Sequence, residues 1–437
     1  MSEINASNFK KEHGDLAPDL VGVSELTSPY FFVPPSGTTG ERPSDCEPGT
    51  LRFNTDIGSL EVFRGKTIGW EQIQRAESQY LGGGTGSNTG TGVRGLTMSS
   101  TDSSANETNT IEFITISTLG NSQDFGDLNV AARQGTGFSS RTRAIQAGGF
   151  DGSNRRNNID FVTIPSLGDA SDFGDLQETR IGNPSGISNQ IRGLVAAGEN
   201  PGNTNDIDYI TIASTGNAVD FGHLSNAYQT GFAAGSTTRG IFAGGRGTPG
   251  YYNVIEFVTF TTTGDVTDFG DLSDQKKGSG KGNASNSTRA IFCGEDKSGD
   301  TITNVIEFIT IATTGNAIDF GDATSNITTV ANLFSSTRGV FSGGYNGSSN
   351  VNSIQFVEIA TTGNAQDFGD MVITQSARSS CASPTRAVQA GGHQHPNPSI
   401  NVIDYVEFST TGNFNDFGDL TADLAAGGQC SNGHGGL

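Results

Sequence analysis

Residues 306–322 read IEFITIATTGNAIDFGD, and this unit recurs seven times in a chain of 437 residues. The phenylalanine of its Asp-Phe-Gly core stands at Phe125, Phe173, Phe221, Phe269, Phe320, Phe368 and Phe417, so successive spacings are 48, 48, 48, 51, 48 and 49 residues. A fixed period of this size marks a repeat architecture and outranks any local reading of helix or strand. The unit's first isoleucine (Ile111, Ile159, Ile207, Ile255, Ile306, Ile354, Ile403) lies nine residues before a glycine (Gly120, Gly168, Gly216, Gly264, Gly315, Gly363, Gly412). That glycine lies five before the phenylalanine in every copy. Two paired strands demand this constancy when a tight turn sets their register, and the glycine supplies the positive φ of the turn. The segment Ile-Glu-Phe-Ile-Thr-Ile is β-branched and aromatic with apolar side chains on both faces, which predicts a strand sandwiched between neighbouring sheets.

Two further pieces precede the unit in each repeat. One is a strand of the form Thr-Arg-Ala-Ile-Phe-Ala-Gly-Gly, carrying Arg143, Arg192, Arg239, Arg289, Arg338 or Arg386, with Arg94 opening the first copy. The other is a segment of small residues such as SARSSCAS or KGSGKGNAS. Four short strands per repeat, with Gly-Gly after the second, resemble a kelch-type propeller blade. The kelch pattern has tryptophan in the last strand, where this chain has the phenylalanine of Asp-Phe-Gly. The resemblance implies an all-β chain: a seven-bladed kelch-like β-propeller over residues 93–437, with a small N-terminal β module before it. The small-residue strand is expected innermost, where converging blades leave room only for Gly, Ala and Ser. Most repeats place an arginine 18 residues after the phenylalanine, and 18 beyond Phe417 is residue 435, at the end of the chain. The final LAAGGQCSNGHGGL is therefore predicted to close the propeller as the C-terminal, innermost strand of the blade that begins at Arg94.

Composition narrows the function. Glycine is abundant (62) and charged residues make up 16%, as many short strands and turns require. A formal charge of −21 argues against a nucleic-acid partner. No apolar run of membrane-spanning length occurs, and MSEINASNFKKEHGDL lacks the apolar stretch of a signal peptide, so synthesis in a cytoplasm without membrane insertion is expected. Cys46, Cys293, Cys381 and Cys430 show no Cys-x-x-Cys spacing and are read as free thiols.

From Ser28 to Ile73 the chain reads SPYFFVPPSGTTGERPSDCEPGTLRFNTDIGSLEVFRGKTIGWEQI. Strands at Thr50–Asn54 and Ser59–Arg64 are predicted around the turn Thr55-Asp56-Ile57-Gly58, with Trp70 in a third strand. Such a module is too small to bury much core alone, which predicts oligomerisation or docking. PSGTTGERP, then GTLRFNTDIGSLEVFRG and a tryptophan, resemble a short module of tail-fibre and other virion proteins of tailed bacteriophages. That resemblance covers about a tenth of the chain and implies a structural protein of the virion, made in the host cytoplasm. The expected partners are other virion proteins, further copies of the chain through residues 1–77, and a host-surface glycan or protein. SQYLGGGTGSNTGTG, residues 78–92, reads as a flexible linker between the N-terminal module and the repeats.

Candidate chemistry is sparse. The Asp-Phe-Gly copies lack the Gly-rich loop, strand lysine and catalytic loop of kinases, and are read as structural. Phe fills the space between blades, Gly allows close approach, and the Asp residues satisfy backbone N–H groups or pair with the repeat arginines as a ring of charges. His393-Gln-His395 has metal-ligand spacing, but Pro396 and Pro398 beside it favour a solvated loop. No Gly-x-Ser-x-Gly elbow, His-Glu-x-x-His pair or nucleotide loop occurs, so no catalytic residue, metal or cofactor is assigned and the chain is read as a non-enzyme. The weighed alternatives are a purely architectural capsid or tail protein and a propeller hydrolase acting on glycans. Length variation is confined to the loops after the second and fourth strands, which share one face. Phe150, Tyr251, Tyr252, Tyr345 and His393 follow the Gly-Gly pairs on that face and are the candidate receptor-binding residues.

Overall fold

The computed structural model describes residues 34–56, 59–66, 69–72, 94–248, 250–278, 284–299, 301–376, 378–393, 399–425 and 428–431. Two compact units divide the chain, Met1–Arg75 and Ala76–Leu437. The expected linker, residues 78–92, lies outside the described residues, as do His395, Pro396 and Pro398. Among the described residues no helix is long and apolar enough to cross a membrane.

In the N-terminal unit β1 (Ser36–Gly37) runs parallel to β2 (Leu51–Asn54), which pairs antiparallel with β3 (Ser59–Phe63), and β3 with β4 (Trp70–Gln72). One face holds Arg52, Asn54 and Glu61, all buried, with Phe63 and Trp70 alongside. Glu61 accepts from Asn54 Nδ2 at 2.8 Å and pairs with Arg42, and the Trp70 indole donates to the Pro43 carbonyl at 3.0 Å.

The larger unit is all-β and propeller-like. In the first repeat β5 (Arg94–Met98), β6 (Thr110–Thr115) and β7 (Gln123–Asp127) form an antiparallel sheet whose fourth, flanking strand is Gly428–Ser431 from the far end of the chain. In the second, β8 (Thr136–Ser139), β9 (Arg143–Phe150), β10 (Arg155–Thr163) and β11 (Ser171–Asp175) form an unbroken meander. Among the described residues the other five repeats each add one four-stranded antiparallel sheet. The first strand of each sheet is the small-residue segment, and these strands pack side by side: Ser188 Oγ donates to Ser139 O at 3.0 Å, and Ser431 Oγ to Ala382 O at 2.9 Å.

A β-bulge explains the Asp-Phe-Gly core. In every repeat the ladder slips after the first isoleucine; in the first, Ile111 faces Gly126 while Glu112 faces Asp124, so Phe125 is the extra residue. Bulging turns its ring inward. All seven rings are 2–3% exposed and meet the aromatic ring of the preceding strand edge-on, with centroids 5.6–5.9 Å apart. Gly126 then approaches the next repeat so closely that a Cβ there would lie 2.5 Å from the Gly168 carbonyl. Six equivalent glycines are equally confined, down to Gly418 against Gly120.

The repeat arginines correct one expectation. Arg94, Arg143, Arg192, Arg239, Arg289, Arg338 and Arg386 do not pair with the Asp-Phe-Gly carboxylates. Each guanidinium lies 4.4–4.8 Å from an aromatic ring of its own sheet and donates at 2.6–2.8 Å to a carbonyl of another repeat. Stacking needs a planar delocalised cation, and a carbonyl needs only a donor. Arg338 and Arg386 pair in addition with Glu358 (2.6 Å) and Glu407 (2.7 Å) of their own sheets. The first aspartate instead accepts the N–H of its own glycine, as Asp124 does from Gly126 at 3.1 Å.

Candidate functional site

Each second strand ends in a sharp turn. Gly148 and Gly149 take φ of 64° and 116°, and Gly343 and Gly344 take 60° and 100°, conformations that need glycine. The turn brings the next residue against the connector arriving from the previous repeat. Phe150 and Arg133 exchange two backbone hydrogen bonds (2.8 and 2.9 Å), as do Tyr345 with Thr328, His393 with Ser376, Glu199 with Ile181 and Thr101 with Ala425. Arg246 pairs with Gln229, and Lys277 donates to Asp296 O. One scaffold position thus carries Thr101, Phe150, Glu199, Arg246, Asp296, Tyr345 and His393, seven different side chains on one backbone geometry.

Three of the five candidate residues, Phe150, Tyr345 and His393, share this position, while Tyr251 and Tyr252 lie farther along the loop of the Phe269 repeat. Only Tyr345 is exposed (37%); the other four are half-buried. Phe150 lies under the Arg133 guanidinium at 5.4 Å. Tyr252 leans on buried Tyr228 with ring centroids 6.4 Å apart. Arg246 is exposed, and Glu199 is held by Arg155 of the preceding repeat at 2.6 Å. The five residues are therefore distributed over four repeats.

Beneath this face runs a second series that pattern reading did not single out. The residue after the first isoleucine is Glu112, Asp160, Asp208, Glu256, Glu307, Gln355 or Asp404, each at most 4% exposed. Most accept a backbone N–H from a connector: Asn129 to Asp160 at 3.1 Å, Ser225 to Glu256 at 3.0 Å, Ser273 to Glu307 at 2.7 Å, Thr324 to Gln355 at 2.7 Å, Thr421 to Glu112 at 3.1 Å. Three also meet a buried cation, Arg180 on Asp208 (3.2 Å), Lys276 on Glu307, and Arg378 on Asp404 (3.0 Å). Among the described residues Asp160 and Glu256 face no cation, and burial lifts their carboxyls above the ordinary range. The available signal was an acid at one fixed place between large apolar residues, in a strand covered on both faces.

Glu295 departs from the pattern. It stands where five other repeats have glycine and the first has Ser100, with φ 82°, and is 1% exposed. Oε2 accepts from Thr328 Oγ1 at 2.8 Å, Oε1 finds no donor, and burial pushes the carboxyl up to about 7. Burial likewise pushes the thiols of Cys293, Cys381 and Cys430 up to about 12, which leaves them protonated. Among the described residues no three His, Cys, Asp or Glu side chains group as metal ligands. A cavity of about one water's size lies beside Thr97, Glu112 and Ser122.

No family model matches the chain, and no curated protein matches it. Among solved structures, that of YjhT aligns with 65% of this chain and 97% of its own at a TM-score of 0.52 and 10% identity. Likeness at that identity concerns the fold alone.

Proposed function

We propose that the repeats form a seven-bladed ring closed by the pairing of Gly428–Ser431 with β5, and that this ring is the presented part of a virion appendage. In this reading the N-terminal unit attaches the chain to other virion proteins and to further copies of itself. The loop face meets a host-surface glycan or protein. The phage-module resemblance of residues 28–73 supports the virion setting. The observation that carries the recognition role is the scaffold position occupied by seven different side chains, from Thr101 to His393. The opposite face repeats one turn in every copy, and a rigid scaffold with varied loops on one face suits binding. No hydrolytic pair is assigned, because the buried acids recur in each repeat and hold backbone N–H groups.

The test is competition. Purified chain should reduce attachment of whole particles to host cells, and a Tyr345→Ala/Arg246→Ala variant should compete less at an unchanged melting temperature. Labelled antibody should place the chain on a projecting part of the particle. A chain that lies within the particle wall, or that never competes, would leave the architectural role in place of the recognition role.

A further inference from the structure

Two loops of the larger unit have the same build. After the Gly-Gly turn of the second repeat the chain reads Phe150-Asp151-Gly152-Ser153-Asn154, and after that of the sixth Tyr345-Asn346-Gly347-Ser348-Ser349. Asp151 Oδ1 accepts the N–H groups of Ser153 (2.9 Å) and Asn154 (2.6 Å), and Asn346 Oδ1 accepts those of Ser348 and Ser349, both at 2.9 Å. The backbone N–H groups of Asp151 and Asn346 close the two turns onto Asn154 O and Ser349 O, each at 3.1 Å, and Gly152 and Gly347 take φ of 89° and 94°. At the head of one turn stands a carboxyl group, at the head of the other a carboxamide.

The carboxamide is the reactive one of the two. The backbone nitrogen of a glycine that follows asparagine can attack the side-chain amide carbon, because no Cβ shields it. Residues 345–349 are all exposed, so water reaches this turn. Among the described residues neither the Gly347 N–H nor the Asn346 Nδ2 group has a hydrogen-bond partner, which leaves nucleophile and leaving group unengaged. The Asn346 carbonyl oxygen is held by its two N–H donors instead. Such a pair stabilises the negative charge that develops on an oxygen as a nucleophile adds to its carbon. The product also fits, since Asp151 sits in the same turn, where the N–H groups of Asn154 and Ser153 hold its carboxyl below the ordinary range. We infer that Asn346 is a site at which the chain modifies itself by deamidation. The Gly347 nitrogen bonds to Asn346 Cγ and gives up its proton, the amide nitrogen leaves as ammonia, and water opens the resulting succinimide to aspartate or isoaspartate. One water is consumed and one ammonia released, with no oxidant or reductant. The step leaves a carboxylate next to the exposed Tyr345 and, in its aspartate form, reproduces the turn of the second repeat.

The experiment is incubation of the full folded chain in neutral buffer made with heavy-oxygen water, with digestion at intervals for mass spectrometry. The peptide carrying Asn346 should take up heavy oxygen as aspartyl and isoaspartyl products. It should do so ahead of the peptides carrying Asn316 and Asn364, exposed asparagines that precede alanine. On ion exchange the aged protein should move to the elution position of a fresh Asn346→Asp variant. Asn346→Gln keeps an amide but would have to close a larger ring, and should show neither change. A folded chain whose Asn346 keeps its amide for as long as Asn316 and Asn364 keep theirs overturns the inference. Conversion confined to chain unfolded in urea would show that the folded turn protects Asn346, and overturns it as well.

Discussion

The Arg386 guanidinium donates to the carbonyl oxygen of Ile116 at 2.7 Å across 270 residues of chain. The same bond links Arg94 to Ile164 and Arg338 to Phe408, in each case from one repeat to the following one. From Arg386 it runs from the last repeat to the first. Gly120 N–H to Phe417 O (2.8 Å) and Thr421 N–H to Glu112 Oε2 (3.1 Å) make the same passage. In the proposed ring these bonds join the last repeat to the first.

Deleting residues 426–437 removes the strand Gly428–Ser431 and strips β5 of its antiparallel partner. A bare edge invites pairing with other chains, so the truncated protein should melt at a lower temperature and aggregate. Calorimetry with light scattering checks both. Melting at the native temperature would show that the terminal strand holds nothing together.

Phe320→Ala tests the bulge. The ring is 2% exposed and meets Phe308 edge-on at 5.7 Å. Its removal leaves a cavity, and buried aromatic truncations cost about 3–5 kcal/mol. Denaturant titration should find a loss in that range. A loss below about 1 kcal/mol would mean that the position relaxes without penalty.

Much of the fold could be read because its determinants are local and repeated. The nine-residue step from isoleucine to glycine fixes a strand and a turn whatever lies elsewhere, and seven copies make the period unmistakable. The first strand of each sheet was legible from its Gly, Ala and Ser, but the expectation of small residues alone does not hold, since Phe138, Ile187, Phe232 and Leu333 stand in these strands and are buried. The bulge was not legible, since one extra residue leaves no mark on alternation until the pairing is known. Arg180, Lys276 and Arg378 were hidden for a different reason. Their acids lie about 26 to 31 residues ahead, as in Arg378 with Asp404 and Lys276 with Glu307, and nothing local ties the two. Phe150, Tyr345 and His393 share one position after the turn, but how exposed the loop residues are depends on neighbours such as Arg133 and Tyr228, which spacing does not reveal.

Glu295 makes a pH prediction. Its folded pKa of about 7 lies above its ordinary value of 4.5, so the folded protein binds that proton more tightly than the unfolded chain. The resulting stability is fully present below about pH 4.5 and is lost as pH rises through about 7, with an upper bound of about 3 kcal/mol. Glu295→Gly should abolish this slope and relieve the positive φ. The variant's advantage over native protein should therefore be larger at pH 8 than at pH 5 in parallel denaturant titrations. A difference that does not vary with pH would show that the carboxyl stays ionised throughout.

Arg180 and Asp208 carry the last prediction. Both are buried, and the guanidinium also donates to Val195 O at 3.0 Å and to Asp206 O at 2.9 Å. Arg180→Met leaves an uncompensated carboxylate inside the protein and should cost about 3–5 kcal/mol at neutral pH. Without the cation, burial and the neighbouring Asp206 and Asp220 act on Asp208 against the Gln177 N–H alone, so its pKa should climb further. Protonation then removes the buried charge, and the cost of the single variant should shrink as the pH is lowered. Asp208→Asn in the Arg180→Met background should recover a large part of the loss at neutral pH and flatten the pH response, because the amide keeps an acceptor for the Gln177 N–H that Asp208 now receives at 3.3 Å. Urea titrations of the native, single and double forms at two pH values check all three statements. Equal losses in the single and double variants would place the role of Arg180 in its carbonyl contacts and leave the ion pair without effect.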